Sequence, residues 1–349
     1  MRALIVGSGK MGRAIARDLQ SNAFTVTVCD ASAEAAKALG RDLRCHTTSI
    51  DAKDAGSVVP LMAGHDVTVS AVPYFLNAGL ARMAVEAGCH FVDLGGNEEV
   101  VKEELALDKA AKKKGVCLVP DCGLAPGMVS FLVAWGIGEA GGAKRVRIRV
   151  GGLPAKPKPP LNYQIVFSIH GLLNEYSGWC TTVKRGRLAK SRAMSGVEQL
   201  EFPGLGRLEA FHTSGGASTL PYTYAGKVKD LDYKTLRYPG HCAKMRSLMK
   251  SMKREELHDH LEKSVPSKGH DLVAVKVDVD DWSVSLLDRG KDGLSAMMRT
   301  TGFSAAIVAS LVARGRAKRC GALIQERDFE AGEFVTELVK RGFELREND

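Results

Sequence analysis

The sequence lacks the features that mark zinc, disulfide-stabilised or membrane proteins. Its eight cysteines contain no CxxC pair, and no His, Cys and Asp cluster has metal-ligand spacing, so we expect reduced core thiols and no metal. A GxSxG nucleophile elbow is also absent. The longest nearly apolar run, 128–138, is too short to span a bilayer. No signal peptide is visible because the first predicted strand already begins at Ala3, and we expect a cytoplasmic protein without a membrane partner.

The sequence also lacks a basic stripe of the kind that binds nucleic acid. The formal net charge is +9, but the basic residues are dispersed. Lys112–Lys114 end a predicted helix that begins with Glu98 and Glu99, as the helix dipole favours. We interpret the charge as solvated faces with some attraction for anionic ligands. No internal repeat is present, and 349 residues suggest about two domains.

A glycine-rich turn at the start of the chain organises the first third. An apolar run, 3–6, is followed by GSGKMG at 7–12 and by a segment with helical spacing. Gly7 permits a tight turn, Gly9 allows close backbone approach to a pyrophosphate, and Gly12 lets the helix pack on the strand. A second predicted strand ends in Asp30 at the spacing that a dinucleotide-binding fingerprint requires.

Predicted strands and helices then alternate, which indicates βαβ units and a parallel sheet. The strands are predicted at 3–6, 24–29, 43–49, 67–72, 90–94 and 116–120. The helices between them are predicted at 11–20, 32–39, 54–63, 75–87 and 98–114. Six strands suit a doubly wound Rossmann sheet.

Asp30 favours NAD over NADP, because a carboxylate accepts hydrogen bonds from ribose hydroxyls and repels a 2′-phosphate. No arginine follows it immediately. An N-cap role for Asp30 is the alternative, although Ser32 could cap that helix. The residues predicted to bind the cofactor are Gly7, Gly9, Lys10, Met11, Gly12, Asp30, Asp51, Ser70, Val72 and Pro73.

The pattern changes after a helix predicted at about 126–140. Strands are predicted at 146–150, 164–168, 180–184, 187–190, 198–202, 207–213, 233–238, 271–279, 282–288 and 294–299. Helices are predicted at 170–176, 240–252, 254–263, 304–314 and 328–340, before a last strand at 343–346. We therefore expect a Rossmann domain at 1–128 and an α+β domain on a largely antiparallel sheet at 129–301. The segment 302–349 is expected to return to the Rossmann domain.

Five stretches resemble the saccharopine dehydrogenase-like superfamily, and three of them resemble lysine 6-dehydrogenase in particular. The superfamily stretches are PDCGLAPGM at 120–128 and VGGLP at 150–154. The more specific three are PPLNYQIVFS at 159–168, LEAFHTSGG at 208–216 and YKTLRYPGH at 233–241. The resemblance implies NAD-dependent oxidative deamination of the ε-amine of L-lysine, giving α-aminoadipate semialdehyde that cyclises to piperideine-6-carboxylate. It also implies a homodimer or homotetramer.

Such a reaction needs a neutral amine and a base, because an ammonium group cannot expel hydride. The candidate catalytic residues are Asp93 and Asp121, each at the end of a predicted strand, and His241. Either aspartate could instead cap a turn. Arg237 is a candidate for the substrate carboxylate, with His212 and Tyr163 as further substrate-binding candidates. Glu175 is a weaker candidate for the site.

Two other readings remain open. The protein could be a saccharopine reductase or a carboxynorspermidine-type dehydrogenase, which join an amine to a carbonyl and often use NADP. It could also be a sensor that binds NAD without turnover, although the presence of both Asp93 and Asp121 disfavours that reading.

Overall fold

The computed structural model describes residues 1–166 and 168–348, and its contacts divide the chain into two units. The first unit consists of Met1–Phe131 and Met298–Arg341. The second consists of Leu132–Met297 and the described residues from Gly342 onward.

The N-terminal part of the first unit alternates strands and helices, as predicted. Its elements are β1 (Arg2–Val6), α1 (Lys10–Ser21), β2 (Thr25–Asp30), α2 (Ala33–Leu43), β3 (His46–Ser49), α3 (Ala55–Ala63), β4 (Val67–Ser70), α4 (Asn77–Ala87), β5 (His90–Asp93), α5 (Glu98–Leu105), α6 (Asp108–Lys114) and β6 (Cys117–Val119). A 3₁₀ turn, Tyr74–Leu76, precedes α4. The central strands are buried on both faces, which explains their continuous apolar runs.

The second unit begins within an apolar helix and continues as a mixed sheet with a few helices. Its elements are α7 (Met128–Glu139), β7 (Arg145–Pro154), α8 (Ile169–Glu175), β8 (Trp179–Lys184), β9 (Arg187–Arg192), β10 (Glu198–Phe202), β11 (Gly206–His212), α9 (Leu220–Tyr224), β12 (Asp230–Arg237), α10 (His241–Ser251), α11 (Arg254–Ser264), β13 (Asp271–Val279) and β14 (Trp282–Asp288).

The C-terminal elements are α12 (Ala296–Ala313), β15 (Gly321–Ala322), α13 (Gln325–Asp328), α14 (Ala331–Lys340) and β16 (Leu345–Asn348). By length and composition α12 could cross a membrane, with a mean hydropathy of 1.4, but 89% of it is buried in the protein, as expected of a core helix. β16 pairs with β14 and so belongs to the second unit, whereas the sequence placed all of 302–349 with the Rossmann domain.

The parallel sheet of the first unit has the order β15-β6-β5-β4-β1-β2-β3, which confirms the doubly wound architecture. The sheet has seven strands, one more than the six predicted. The seventh is β15, which joins the sheet through parallel pairing of Gly321 with Cys117. The second sheet has the main order β10-β11-β12-β7-β13-β14-β16, with β8 and β9 attached to β12. Its pairs are antiparallel except β12 with β7, which confirms a largely antiparallel sheet.

Three local predictions need correction. The helix predicted at 98–114 is two helices, and Asp108 at the start of α6 binds Arg319 and the Ala322 N–H. The strand predicted at 294–299 is the start of α12, because Asp271 accepts hydrogen bonds from the N–H groups of Ala296 and Met297. The strand predicted at 164–168 does not form at 164–166, and Phe167 lies outside the described residues.

Candidate active site

The glycine loop after β1 has the geometry of a phosphate-binding turn. Gly7 has φ +107°, and a Cβ there would lie 2.7 Å from the Ala71 carbonyl oxygen at the end of β4. A Cβ on Gly12 would lie 1.9 Å from the Gly7 carbonyl oxygen, so α1 packs directly on the turn. A Cβ on Gly9 would meet nothing within 4 Å. The open side of Gly9, at the start of α1, therefore fits a pyrophosphate group.

Asp30 ends β2 and holds the glycine loop. Its Oδ2 accepts hydrogen bonds from the Ser8 N–H at 2.7 Å and the Ser8 hydroxyl at 2.8 Å, and Oδ1 accepts from the Ser32 N–H at 2.9 Å. Partial burial raises the pKa of Asp30, but these hydrogen bonds outweigh it, and the pKa is lowered overall. The carboxylate at this position is therefore ionised, and Ser32 caps α2 by accepting from the Ala35 N–H.

The other predicted cofactor residues occupy several environments of the first unit. Val72 packs near the Gly7 turn, and Ser70 is buried and donates a hydrogen bond to Asn77 Oδ1 at 2.7 Å. Asp51 is exposed and accepts from the Lys53 N–H. Lys10 and Met11 form the first turn of α1, and Pro73 precedes the 3₁₀ turn.

Three buried carboxyl groups gather at the carboxyl ends of β5 and β6. Asp93 ends β5 and is fully buried, Asp121 follows β6 and is 4% exposed, and Glu104 comes from α5 and is 1% exposed. Asp93 Oδ1 accepts hydrogen bonds from the Gly95 N–H at 2.6 Å and the Asp121 N–H at 3.3 Å. The sequence-predicted pair of aspartates is thus brought together at one sheet edge, where ligands of doubly wound sheets bind.

The backbone of Asp121 is held in an uncommon conformation. Its φ is +63°, in the left-handed region. Its carbonyl oxygen accepts from Gln325 Nε2 at 2.9 Å, and that amide also binds the Pro120 carbonyl oxygen. On its other side the Asp121 carboxylate packs against Gly95, where a Cβ would lie only 1.7 Å from Asp121 Oδ1. Surrounding groups therefore fix both the backbone and the carboxylate of Asp121.

Burial changes the ionisation of the Asp93 and Glu104 carboxyl groups. It raises the pKa of Glu104, and the negative charges of Asp93 and Asp121 raise it further. Burial also raises the pKa of Asp93, although the contacts with Glu104 and the Gly95 N–H act in the opposite direction. Glu104 is therefore the protonated member of the pair.

In the second unit a buried arginine lies among aromatic rings. Arg237, at the end of β12, is 2% exposed, and its Nε donates to the Tyr176 hydroxyl at 2.9 Å. Its Nη1 donates to the Leu236 carbonyl oxygen, and its Cζ lies 4.9 Å from the centre of the Tyr163 ring. Burial opposes the guanidinium charge, but Tyr176, Tyr163 and Glu175 raise the pKa of Arg237, so the cation is retained.

His241 and Glu175 complete this cluster. His241 Nδ1 lies 2.9 Å from the Leu161 carbonyl oxygen, and Nε2 lies 3.0 Å from the Tyr176 hydroxyl. Burial, with the nearby Arg237 charge, lowers the pKa of His241 to about 3, so the ring is neutral. Its Nδ1 then carries the proton, and Nε2 accepts from Tyr176. Burial raises the pKa of Glu175 to about 7, against the opposing effect of Arg237.

Glu209 holds the N-terminus of α10 next to this cluster. It stands opposite Arg237 in the β11–β12 register, and its two oxygens accept from the N–H groups of Gly240 and Cys242. This anchors His241, the first residue of α10, relative to Arg237. The expected grouping of Arg237, His241 and Tyr163 is therefore present in the structure.

His212 lies elsewhere on the same sheet. It pairs with Lys234, three residues before Arg237, and so its side chain is on the opposite face. Lys234 belongs there to an ionic network with Glu198, Arg149 and Asp232. Burial lowers the pKa of His212. The structure does not bring His212 into the arginine cluster.

A cavity of about 320 Å³ lies in the second unit beside Tyr163. Leu161, Tyr163 and Val265 contribute apolar walls, and Lys158 and Lys244 contribute positive charge. Tyr163 therefore both contacts Arg237 and lines this cavity. The volume is sufficient for a small organic ligand.

Four residues of these clusters are not among the candidates predicted from the sequence: Glu104, Gln325, Tyr176 and Glu209. Glu104 lies in the charged stretch EEVVKEEL, where it is indistinguishable from its exposed neighbours. Gln325 is 204 residues from Asp121, and no local pattern signals that contact. Tyr176 and Glu209 lie close in sequence to Glu175 and His212, which were predicted as candidates. That closeness is the signal by which they could have been found.

Comparison with known proteins covers nearly the whole chain. The family model described as saccharopine dehydrogenase NADP binding domain matches residues 3–119, and the saccharopine dehydrogenase C-terminal domain matches 123–343. A saccharopine dehydrogenase [NADP(+), L-glutamate-forming] of Pyricularia oryzae is 26% identical, over 99% of this chain and 81% of the relative.

The fold is similar to that of a solved structure, the apo histidine-tagged saccharopine dehydrogenase (L-Glu forming) from Saccharomyces cerevisiae. The TM-score is 0.81, with 20% identity and 99% of each chain covered. The first unit is therefore a pyridine-nucleotide-binding domain, and the chain belongs to the saccharopine dehydrogenase family of amino-acid dehydrogenases.

Proposed function

We propose that the protein is an NAD-dependent dehydrogenase that oxidatively deaminates the ε-amine of L-lysine. The product, α-aminoadipate semialdehyde, closes to piperideine-6-carboxylate. The observation that carries the substrate assignment is the buried Arg237 beside the half-buried Glu175, a cation and an acid suited to the carboxylate and α-ammonium group of one amino acid.

Asp30 supports NAD as the cofactor. Its carboxylate is ionised and held at the end of β2, where it would accept hydrogen bonds from the adenosine ribose and repel a 2′-phosphate. The Pyricularia oryzae relative is named for NADP(+). The choice of cofactor therefore distinguishes lysine deamination with NAD from the NADP-dependent reaction in the relative's name. Bound NAD would supply the hydride acceptor, and the open side of Gly9 would hold its pyrophosphate.

For substrate binding we assign the α-carboxylate to Arg237. Its Nε and Nη1 are used by Tyr176 and Leu236, and its remaining N–H donors are assigned to the substrate. The neutral His241 accepts from Tyr176, which in turn accepts from Arg237, so this chain orients the guanidinium. Tyr163 packs on Arg237 and extends the binding surface.

For the chemistry we assign Asp121 as the base. The ε-ammonium of free lysine has a pKa of about 10.4 and must lose its proton before the carbon that bears it can release hydride. The imine must then add a water, which loses a proton as the aldehyde and ammonia form. Asp121, fixed by Gly95 and Gln325, would accept these protons. Asp93 acts on Asp121 through the backbone hydrogen bond.

The test is NADH or NADPH formation from L-lysine, L-ornithine and saccharopine, each with NAD and NADP at alkaline pH. We expect the highest kcat/KM for lysine with NAD, rising with pH as the substrate ammonium deprotonates. Asp30→Ala should weaken NAD binding and relax discrimination against NADP. Asp54→Ala, which removes an exposed cap of α3, is the matched control. Tighter NADP binding by the unaltered protein would overturn the cofactor assignment.

The second candidate is a saccharopine reductase, which the relatives' names favour. Saccharopine carries three carboxylates, and Lys158 and Lys244 at the cavity beside Tyr163 are cations that could bind the additional ones. The same assay distinguishes the two: oxidation of saccharopine with NADP, without NADH formation from lysine, would replace lysine deamination.

We also propose a homodimer or homotetramer that uses the β8–β9 hairpin. Trp179 and Leu188 lie on one face of this hairpin and are 61% and 48% exposed, and β9 is an edge strand. Trp179→Arg should lower the mass measured by sedimentation equilibrium, whereas a monomeric unaltered protein would refute the proposal.

All eight cysteines, which lie among the described residues, are free thiols, and this supports a reducing, cytoplasmic location.

A further inference from the structure

Two buried carboxyl groups in the described part of the first unit, Asp93 and Glu104, have three oxygens between them that lack a hydrogen-bond partner. Among the described residues, Asp93 Oδ2 and both oxygens of Glu104 have no hydrogen bond of normal geometry, although the Asn77 side chain lies near enough to favour the ionised Asp93. Both residues are at most 1% exposed, so solvent does not replace the missing donors. Two ionised carboxylates in contact would repel each other strongly in this environment.

The two carboxyl groups differ in their remaining contacts. Asp93 Oδ1 already accepts from two backbone N–H groups, those of Gly95 and Asp121, and this favours its ionised form. Glu104 has no such donors among the described residues. The shared proton therefore belongs to Glu104, which donates it toward Asp93 Oδ2.

We propose that Glu104 is a positioning residue. Its protonated carboxyl group fixes the Asp93 carboxylate in the orientation from which Oδ1 binds the N–H groups of Gly95 and Asp121. Gly95 is the residue against which the Asp121 carboxylate packs. Glu104 thus determines, through Asp93, where the Asp121 carboxylate lies. The catalytic consequence rests on the proposed role of Asp121 as the base.

This arrangement predicts an alkaline limit to activity. The groups that face Glu104 are Asp93 from β5, Asp121 after β6 and Glu103 on its own helix, all of which are acidic, and the buried Cys122 thiol lies beside them. Each of these carboxylates favours the protonated form of Glu104. Once Glu104 loses its proton at high pH, it repels Asp93, and the contacts that hold Asp121 are lost.

The experiment compares the unaltered enzyme with Glu104→Gln, Glu104→Leu and the exposed control Glu103→Gln. The amide of Glu104→Gln still donates to Asp93 but does not titrate. We expect this variant to keep kcat within about threefold near neutral pH and to lose the alkaline limb of the pH–rate profile. Glu104→Leu removes the donor, and kcat should fall by about 10- to 100-fold with an unchanged Kd for NAD. Glu103→Gln removes only the weakest of the neighbouring charges and should retain both kcat near neutral pH and the alkaline limb.

Infrared spectroscopy provides a readout that is independent of substrate. The spectrum is recorded above pH 8, where Glu175, with its pKa of about 7, and Asp18, with its pKa of about 6, are ionised. The carbonyl stretch of a buried, protonated carboxylic acid should then be present in the unaltered protein and in Glu103→Gln and absent from Glu104→Gln. An unchanged infrared band, or a Glu104→Gln pH profile that superimposes on that of the unaltered enzyme, would overturn the assignment. If no tested substrate is oxidised, the proposed function fails, and the infrared band still decides the protonation of Glu104.

Discussion

Gly95→Ala tests whether the position of the Asp121 carboxylate matters to the reaction. A Cβ at residue 95 would lie 1.7 Å from Asp121 Oδ1 and 2.8 Å from its Cγ. The carboxylate oxygen must therefore retreat by about 1.7 Å to reach ordinary van der Waals contact, which begins at 3.4 Å. A displacement of about 1 Å in a catalytic group costs on the order of 10²-fold in rate. We expect kcat to fall by about that factor.

The substitution also strains the backbone, because Gly95 has φ +72°. Gly115→Ala controls for this effect: Gly115 has φ +70°, and a Cβ there would meet nothing within 4 Å. Each variant should lose about 1 kcal/mol of unfolding free energy from the left-handed conformation. Only Gly95→Ala should also lose kcat.

The assay is steady-state NADH formation, with stability measured by urea unfolding of both variants. NAD affinity, measured by fluorescence titration, should be the same in the two proteins. A kcat for Gly95→Ala within about twofold of that for Gly115→Ala would refute the assignment of Asp121 as a base that depends on its position.

Three further predictions concern charge. Glu104 has a raised pKa in the folded protein, so the unfolding free energy should fall with rising pH relative to Glu104→Gln, by up to about 1.4 kcal/mol per pH unit above pH ~5. The Glu103→Gln curve should instead run parallel to that of the unaltered protein. Asp18→Asn removes the buried charge partner of the 5%-exposed Arg341 side chain and leaves it only the 25%-exposed Glu337. This should cost about 3 kcal/mol in urea unfolding, against at most about 1 kcal/mol for a surface pair. Arg237→Ala should mainly raise the KM for lysine, and a lowered kcat with unchanged KM would contradict its binding role.

Much of the fold could be predicted because its local patterns agree with its tertiary structure. The strands at 198–202, 271–279 and 282–288 have the predicted bounds. Each is a short run of strand-forming residues with turn residues at both ends, so the sequence marks where the strand begins and ends. In contrast, β15 has two residues, too few for any period to be visible. The start of α12 depends on Asp271, a distant residue that satisfies its first N–H groups.

The candidate site was predictable only in part. Asp93 and Asp121 could be placed together because parallel strands end at one edge of a sheet. Arg237 and His241 are near in sequence, but their link through Tyr176 requires α8 to pack beside β12 and α10. Glu104 looked like a solvated residue of an acidic helix, and only the packed structure shows that it is buried.

The contact between Gln325 and Asp121 has a consequence for biosynthesis. It spans 204 residues, so the Asp121 backbone lacks this support until the ribosome has made most of the chain. At about 5–20 residues per second, that delay is on the order of 10–40 s. A nascent chain could complete the strands β1 to β6 during this interval, but β15 and Gln325 would not yet be present. The glycine turn at 7–12 would thus form early in synthesis, and Asp121 would acquire its final geometry later.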